Sequence, residues 1–313
     1  MLHQNRMGAA VLALALAAAL ARAQQDTPLF RSDTRLVLLH ATVVDKSGRL
    51  VTNLGREAFK VFENGVQQPL KVFRREDVPV SLALVIDNSG SMRDKRGRVE
   101  SAALALVKAS NPQDEVMIVN FNDEAYEDVT FTNSLKKLEE GLTRIDSRGG
   151  TAMRDAISLT IDRIKEKAKR DKKILLAVTD GNDNTSIMTL EKLVQKAHES
   201  EVVIYAIGLL NEEERREAKR AQRALDALTE ASGGLAYYPK GVADVDKIAL
   251  QVAHEIRNQY ILAYTPSDQA LDGTFRQIKV TVNGPNRPQV RTRSGYYATP
   301  DTPKRGAAAS ALR

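Results

Sequence analysis

The chain has 313 residues, of which 42% are apolar and 27% charged, with a formal net charge of +6 and no cysteine. That length and balance allow one sizeable core and a smaller one and exclude a wholly disordered chain, while the missing thiols exclude disulfides, thiolate metal sites, cysteine nucleophiles and a lipid-modified N-terminal cysteine together. With 5% aromatics and no Trp, the mild basic excess suits anionic surfaces better than nucleic acid, and its plainest reading is a solubilising charge balance.

Basic Arg6, the apolar run 7–20 and the small-residue pattern Ala21-Arg22-Ala23 have the form of a secretory leader cut after Ala23. The run is shorter than the ~20 residues needed to span hydrocarbon, and no later segment comes closer. The sequence therefore predicts an exported protein, periplasmic or extracellular, with no transmembrane span after cleavage. Loss of Arg6 and Arg22 with the leader 1–23 lowers the net charge from +6 to +4.

Residues 24–33 read as a linker and 34–76 as a β segment: LVLLHATVV, a turn at Lys46-Ser47-Gly48, then FKVFENGVQQPLKVF, in which Asn64-Gly65 is a two-residue hairpin signal. From Val80 the rhythm becomes apolar strands alternating with amphipathic helices. Strands are predicted at 80–87, 116–122, 173–180, 202–208 and 234–239, with 126–132 as an antiparallel edge, and helices at 98–109, 134–145, 154–170, 190–199, 212–231 and 245–259. Continuous Val, Ile and Leu runs are what strands covered on both faces require. In the third helix Ala156, Ile157, Leu159, Thr160, Ile164 and Ala168 trace one stripe. The run 212–220 (EEERREAKR) reads as a solvated helix face.

The expected fold class is therefore α/β, a doubly wound, mostly parallel sheet with helices on both faces, spanning 78–260. Beyond it, 261–298 returns to strands: YILAYTP from Tyr260, a loop with Asp272-Gly273, FRQIKVTVNG, a Pro-rich turn and VRTRSGYYA. This segment is expected to pack with 34–76 as a small β-sandwich-like unit into which the α/β domain is inserted. Residues 299–313 form a tail without a core-forming pattern, and the chain has no internal repeat.

The chemistry concentrates at strand ends. The strand VSLALVID ends in Asp87-Asn88-Ser89-Gly90-Ser91, and KILLAVTD ends in Asp180-Gly181. In an open α/β sheet the carboxyl ends of the strands flank the crevice where ligands bind. A third loop, Arg148-Gly149-Gly150-Thr151, lets backbone approach that crevice while Thr151 offers a hydroxyl. Asp87, Ser89, Ser91, Thr151 and Asp180 are all hard oxygen donors, a set that suits Mg²⁺ and, less well, Ca²⁺ or Mn²⁺, and disfavours zinc. Two carboxylates only balance a dication, so such a metal would accept one further anionic oxygen. Asn88, Gly90, Gly150 and Asp183 complete the predicted ligand-binding loops.

The series Asp87-x-Ser89-x-Ser91, Thr151 and Asp180-Gly181 resembles the metal-ion-dependent adhesion site of von Willebrand factor A domains, over about residues 80–260. The resemblance implies direct or near-direct ligation by Ser89, Ser91 and Thr151, action largely through water by Asp87 and Asp180, and a protein partner whose Asp or Glu carboxylate fills the open position. It also implies a helix 245–259 that shifts when that position fills. The flanking β segments look like those of bacterial secreted "VWFA-related" proteins, whose ligands the resemblance does not reveal.

Other motifs point elsewhere and fail on single residues. Asp180-Gly-Asn182-Asp-Asn184 mimics an EF-hand loop, but Thr185 stands where the sharp turn needs Gly and a strand precedes it; Asp183 is expected instead to stiffen the loop holding Asp180. A haloacid dehalogenase-like phosphatase would use Asp87 as nucleophile, yet its general-acid position is Ser89, and a hydroxyl cannot take that role near neutral pH. His3, His40, His198 and His254 are scattered, and neither G-x-S-x-G nor G-x-x-x-x-G-K-[ST] occurs. Lys108 and Arg154 lie near the crevice in sequence but read as surface charge. The expectation is a non-enzymatic, metal-dependent binding, adhesion or scaffolding protein.

Overall fold

The computed structural model describes residues 35–75, 77–143, 147–181, 183–210 and 214–300. The predicted leader 1–23, linker 24–33 and residues 301–313 of the tail lie outside them.

The first strands are β1 (Val37–Val44), β2 (Phe59–Glu63), β3 (Val66–Gln68) and β4 (Leu70–Arg74). Asn64 and Gly65 join β2 to β3 with φ of 48° and 83°, the two left-handed residues that a tight primed turn demands. The α/β part follows: β5 (Val80–Asp87), α1 (Arg96–Lys108), β6 (Glu115–Phe121), β7 (Ala125–Thr132), α2 (Leu135–Thr143), α3 (Met153–Lys167), β8 (Lys172–Thr179), α4 (Leu190–Glu199), β9 (Val202–Gly208), α5 (Arg215–Ser232), β10 (Ala236–Tyr237) and α6 (Val245–Arg257). The last strands are β11 (Tyr260–Tyr264), β12 (Phe275–Val282), β13 (Gln289–Arg291) and β14 (Gly295–Tyr297).

The six-stranded sheet runs β10-β9-β8-β5-β6-β7, parallel throughout except for β7, which is antiparallel to β6. Every residue of β5 is buried, and alternation along the strand explains why its sequence is apolar except at Ser81 and the terminal Asp87. Leu82, Leu84 and Ile86 pack with Val99 and Leu106 of α1 and Val252 and Ile256 of α6. Ala83 and Val85 face the other way, with Ile157 and Ile161 of α3 and Leu193 of α4. Each such large aliphatic side chain contributes about 1.5–3 kcal/mol on burial, so a polar residue at any of these β5 positions would undo one of the two layers. The doubly wound α/β class holds.

Two four-stranded antiparallel sheets, β13-β1-β11-β4 and β14-β12-β2-β3, enclose the second core. Leu39, Val43, Phe59, Val61, Leu262 and Val280 fill it, and the Phe59 and Tyr260 rings lie 4.9 Å apart. Glu63, buried among them, accepts hydrogen bonds from Tyr264 Oη at 2.7 Å and Tyr296 Oη at 3.0 Å.

Several elements differ from their sequence-predicted bounds. The run VRTRSGYYA is not one strand: β13 pairs with β1 in one sheet and β14 with β12 in the other, because Thr292–Ser294 carries the chain across between sheets. The predicted strand 234–239 shrinks to the two residues of β10, since the Tyr238 hydroxyl is drawn onto α5 at Gln222 O and Asp226 and Pro239 follows without an N–H. The helix expected at 154–170 ends at Lys167, where Ala168 turns extended. The helices expected at 98–109 and 245–259 are Arg96–Lys108 and Val245–Arg257.

Candidate metal centre

Strands β5 and β8 are neighbours with Ile86 opposite Val178, so Asp87 and Thr179 finish side by side and Asp180 follows directly. Thr179 Oγ1 donates to Asp87 Oδ2 at 2.6 Å, and the Ser89 N–H donates to Asp87 Oδ1 at 2.9 Å. Asp87 is fully buried. Burial pushes its carboxyl up to about 6 against the lowering effect of the Ser89 and Thr179 hydrogen bonds, with the nearby Asp180 carboxylate adding to the rise.

Asn88 turns the chain out of the sheet. Its N–H donates to Phe121 O at 2.7 Å, its Nδ2 to Tyr126 Oη at 2.8 Å, and its Oδ1 accepts from Ser147 Oγ at 3.2 Å. Both ends of this amide are thus spent holding the loop to β6, β7 and the segment before the Gly-Gly-Thr loop. Ser89 and Ser91 place their Oγ atoms 3.1 Å apart across a short 3-10 turn at Gly90–Met92, Ser89 buried and Ser91 exposed.

The Gly-Gly-Thr loop closes against this turn through Gly90 N to Gly149 O at 3.2 Å. Gly149 has φ +76°, and a Cβ there would lie 2.1 Å from Asp123 Oδ2; at Gly150 a Cβ would lie 2.7 Å from Asp123 Oδ1, which accepts the Gly150 N–H at 2.8 Å. The paired glycines therefore exist because the Asp123 carboxylate grips the loop from β6's end. Thr151, 3% exposed, donates its N–H to Asn184 Oδ1 at 2.9 Å, and its carbonyl accepts the Asn184 N–H at 3.1 Å.

Asp180 accepts from Lys95 Nζ at 3.1 Å on Oδ2, while its Oδ1 is buried with no hydrogen-bond partner. Asp183 does not reach toward this carboxylate. It accepts from Arg154 N at 2.8 Å, Nε at 3.1 Å and Nη2 at 3.0 Å, and from Ser186 Oγ at 2.9 Å, which pins the loop after β8 to the start of α3. Arg154 is therefore a loop anchor rather than loose surface charge, whereas Lys108, at the far end of α1, pairs with half-exposed Glu139 at 3.5 Å. Beside Gly181 and Asp183 a cleft of about 240 Å³ opens between Arg154 and Glu217 and Arg220 of α5.

The hydrogen bonds thus bring the loops of Asp87, Ser89, Ser91, Thr151 and Asp180 together at the carboxyl end of the sheet. The described histidines are elsewhere: His40 on β1, pushed down to about 3 by burial beside Lys172 and Arg293, His198 edge-on to Phe275 at 4.8 Å, and His254 exposed on α6. Asp123 and Lys95 escaped sequence reasoning, and Asn184 entered it only within the rejected EF-hand mimic. Asp123 looks like an ordinary turn residue, though an acid just past the end of a sheet strand is a signal of the same kind as Asp180. Lys95, within MRDKRGR, carries nothing that separates it from surface charge.

An open α/β sheet with its ligand crevice at the strand ends defines a broad class of binding domains. Residues 82–182 match the family model described as von Willebrand factor type A domain, and the chain carries such a domain. Mouse integrin alpha-11 is 30% identical over 110 residues, 33% of this chain and 9% of that protein. Mouse calcium-activated chloride channel regulator 1 is 29% identical over 168 residues, 50% of this chain and 17% of its own length. The chain thus spans less than a fifth of either relative. Among solved structures, the von Willebrand factor type A protein from Catenulispora acidiphila aligns with a TM-score of 0.48 at 14% identity, over 86% of this chain and 75% of that one. Among the described residues no helix is long and apolar enough to cross a membrane.

Proposed function

We propose that this chain is an exported, non-enzymatic adhesion or scaffolding protein that holds Mg²⁺, or failing it Mn²⁺ or Ca²⁺, with Asp87, Ser89, Ser91, Thr151 and Asp180, and uses it to capture an Asp or Glu side chain of a protein partner. The observation that carries this reading is the buried Oδ1 of Asp180, without a hydrogen-bond partner and in the electrostatic field of Asp87. A buried carboxylate oxygen left unpaired is costly in an apolar interior. Of the other described carboxylates, only Asp246 has such an atom, and its side chain is 34% exposed.

The donor set fits a hard dication: two carboxylates, three hydroxyls, no sulfur and no imidazole. Asp87 and Asp180 would supply the charge, and Ser89, Ser91 and Thr151 neutral oxygens, leaving the cation electrophilic toward one more anion. Similarity to integrin alpha-11 over 110 residues supports adhesion as the use. The cleft beside Gly181, with Arg154, Arg220 and Glu217 on its walls, offers room for residues flanking the captured acid. A phosphatase reading has no observation in its favour, because both oxygens of Asp87 already accept hydrogen bonds and the residue is fully buried, which bars it from attacking phosphorus.

Calorimetric titration with Mg²⁺ tests the site. Wild-type protein is expected to bind one ion and Asp87→Ala to bind none; unchanged affinity in that variant would refute the assignment.

A further inference from the structure

We infer that Lys95 is a tethered counter-cation of the crevice, which holds Asp180 when no metal is bound and must be displaced by an arriving dication, so that it sets the affinity of the site. The inference rests on the metal reading of the same five residues and adds a residue that reading does not contain.

Three observations converge on Lys95. Its ammonium lies 3.1 Å from Asp180 Oδ2, and the two side chains are 25% and 7% exposed. Its backbone is fixed: the N–H donates to Met92 O at 3.0 Å and the carbonyl accepts from Val99 N at 3.2 Å, which sets Lys95 at the entrance of α1, immediately after the Ser89–Ser91 turn. Lastly, the pair uses only one oxygen of Asp180, and the other is left buried and unpartnered.

The electrostatics give this arrangement a purpose. Asp87 is fully buried and the Asp180 side chain nearly so at the ends of the neighbouring strands β5 and β8, so two acids sit in one poorly solvated crevice. Without a cation their repulsion pushes the β5 and β8 loops apart; a lysine ammonium on a flexible stem neutralises one of them and can swing out. A dication drawing on Asp180 meets the same ammonium as a like charge at short range. Lys95 therefore stabilises the metal-free crevice and opposes metal binding. A purely structural salt bridge would do only the first.

Lys95→Met keeps the stem and removes the charge, so the opposed effects become measurable on one protein. In EDTA the variant is expected to unfold at a lower temperature than wild type. In calorimetry it is expected to bind Mg²⁺ about tenfold more tightly, equivalent to ~1.4 kcal/mol, and to show the larger rise in unfolding temperature on adding Mg²⁺. Lys95→Arg, which retains the charge, should behave as wild type in the titration. Mg²⁺ affinity that is unchanged or weaker in Lys95→Met, while Asp87→Ala abolishes binding, overturns the inference and leaves the metal reading intact. Absence of Mg²⁺ binding in wild type and Lys95→Met alike overturns both, and binding that appears only in Lys95→Met supports the inference in its strongest form.

Discussion

The two ends of the six-stranded sheet both bury charge, and they treat it differently. At the amino end Asp114 accepts from Val80 N at 2.8 Å on one oxygen and from Asn111 N at 3.0 Å and Arg257 Nη2 on the other. Arg257 also reaches Asp77 at 2.9 Å, Lys172 Nζ donates to Ile256 O, and Ser81 Oγ donates to Glu115 at 2.6 Å. At the carboxyl end Asp87 is held, but Asp180 keeps one buried oxygen unpaired and pairs the other with Lys95 alone. A buried charge with its bonds complete is architecture; one left incomplete is available to a ligand. The amino end is also where the chain enters β5 and leaves α6, so its ion pairs tie the α/β unit to the segments that form the sandwich.

The largest expected effect separates these ends at once. Asp114→Ala strips Arg257 of its buried partner and Val80 of its acceptor, and should lower unfolding free energy by about 3–5 kcal/mol in chemical denaturation while leaving Mg²⁺ affinity as it was. A loss of Mg²⁺ binding there would break the division between the two ends.

Lys172 sharpens it further. Burial, helped by Arg257, pushes this ammonium down to about 7, whereas the unfolded chain keeps it near 10.5. Between those values the unfolded state binds more protons, so stability rises with pH. At ~1.36 kcal/mol per unit, wild type should gain roughly 3 kcal/mol between pH 7 and 9.5 from this group. Lys172→Met should be more stable than wild type at pH 7 and lose that rise. Parallel pH profiles for the two proteins would show that Lys172 is charged in the fold.

How much of this was legible in the sequence varies with the length scale of the cause. The β5 and β8 runs announce themselves because both faces of each strand are covered, which keeps the stretches 82–86 and 174–178 apolar throughout. Asn64-Gly65 did so because few residue pairs tolerate two positive φ values. The split of VRTRSGYYA between two sheets was not legible, since the partners that divide it, β1 and β12, are set by folding and not by neighbours in the chain. At the crevice, strand-terminal Asp87 and Asp180 stand out by position, and the paired glycines by composition. The reason for those glycines, the Asp123 carboxylate, is visible only in three dimensions. Lys95 is invisible for the same reason: its sequence neighbourhood is basic, and its distinguishing contact is with a residue 85 positions away.

Thr151 gives the most direct test of the claim that the carboxyl end is built for a ligand. Among the described residues its hydroxyl makes no hydrogen bond, while its backbone carries the contacts to Asn184. Thr151→Ala should therefore cost less than about 1 kcal/mol of stability and weaken Mg²⁺ binding at least about tenfold, with Thr151→Ser restoring it. Mg²⁺ affinity equal to wild type in Thr151→Ala, accompanied by a stability loss on the scale of Asp114→Ala, would contradict the account and make this end of the sheet as purely architectural as the other.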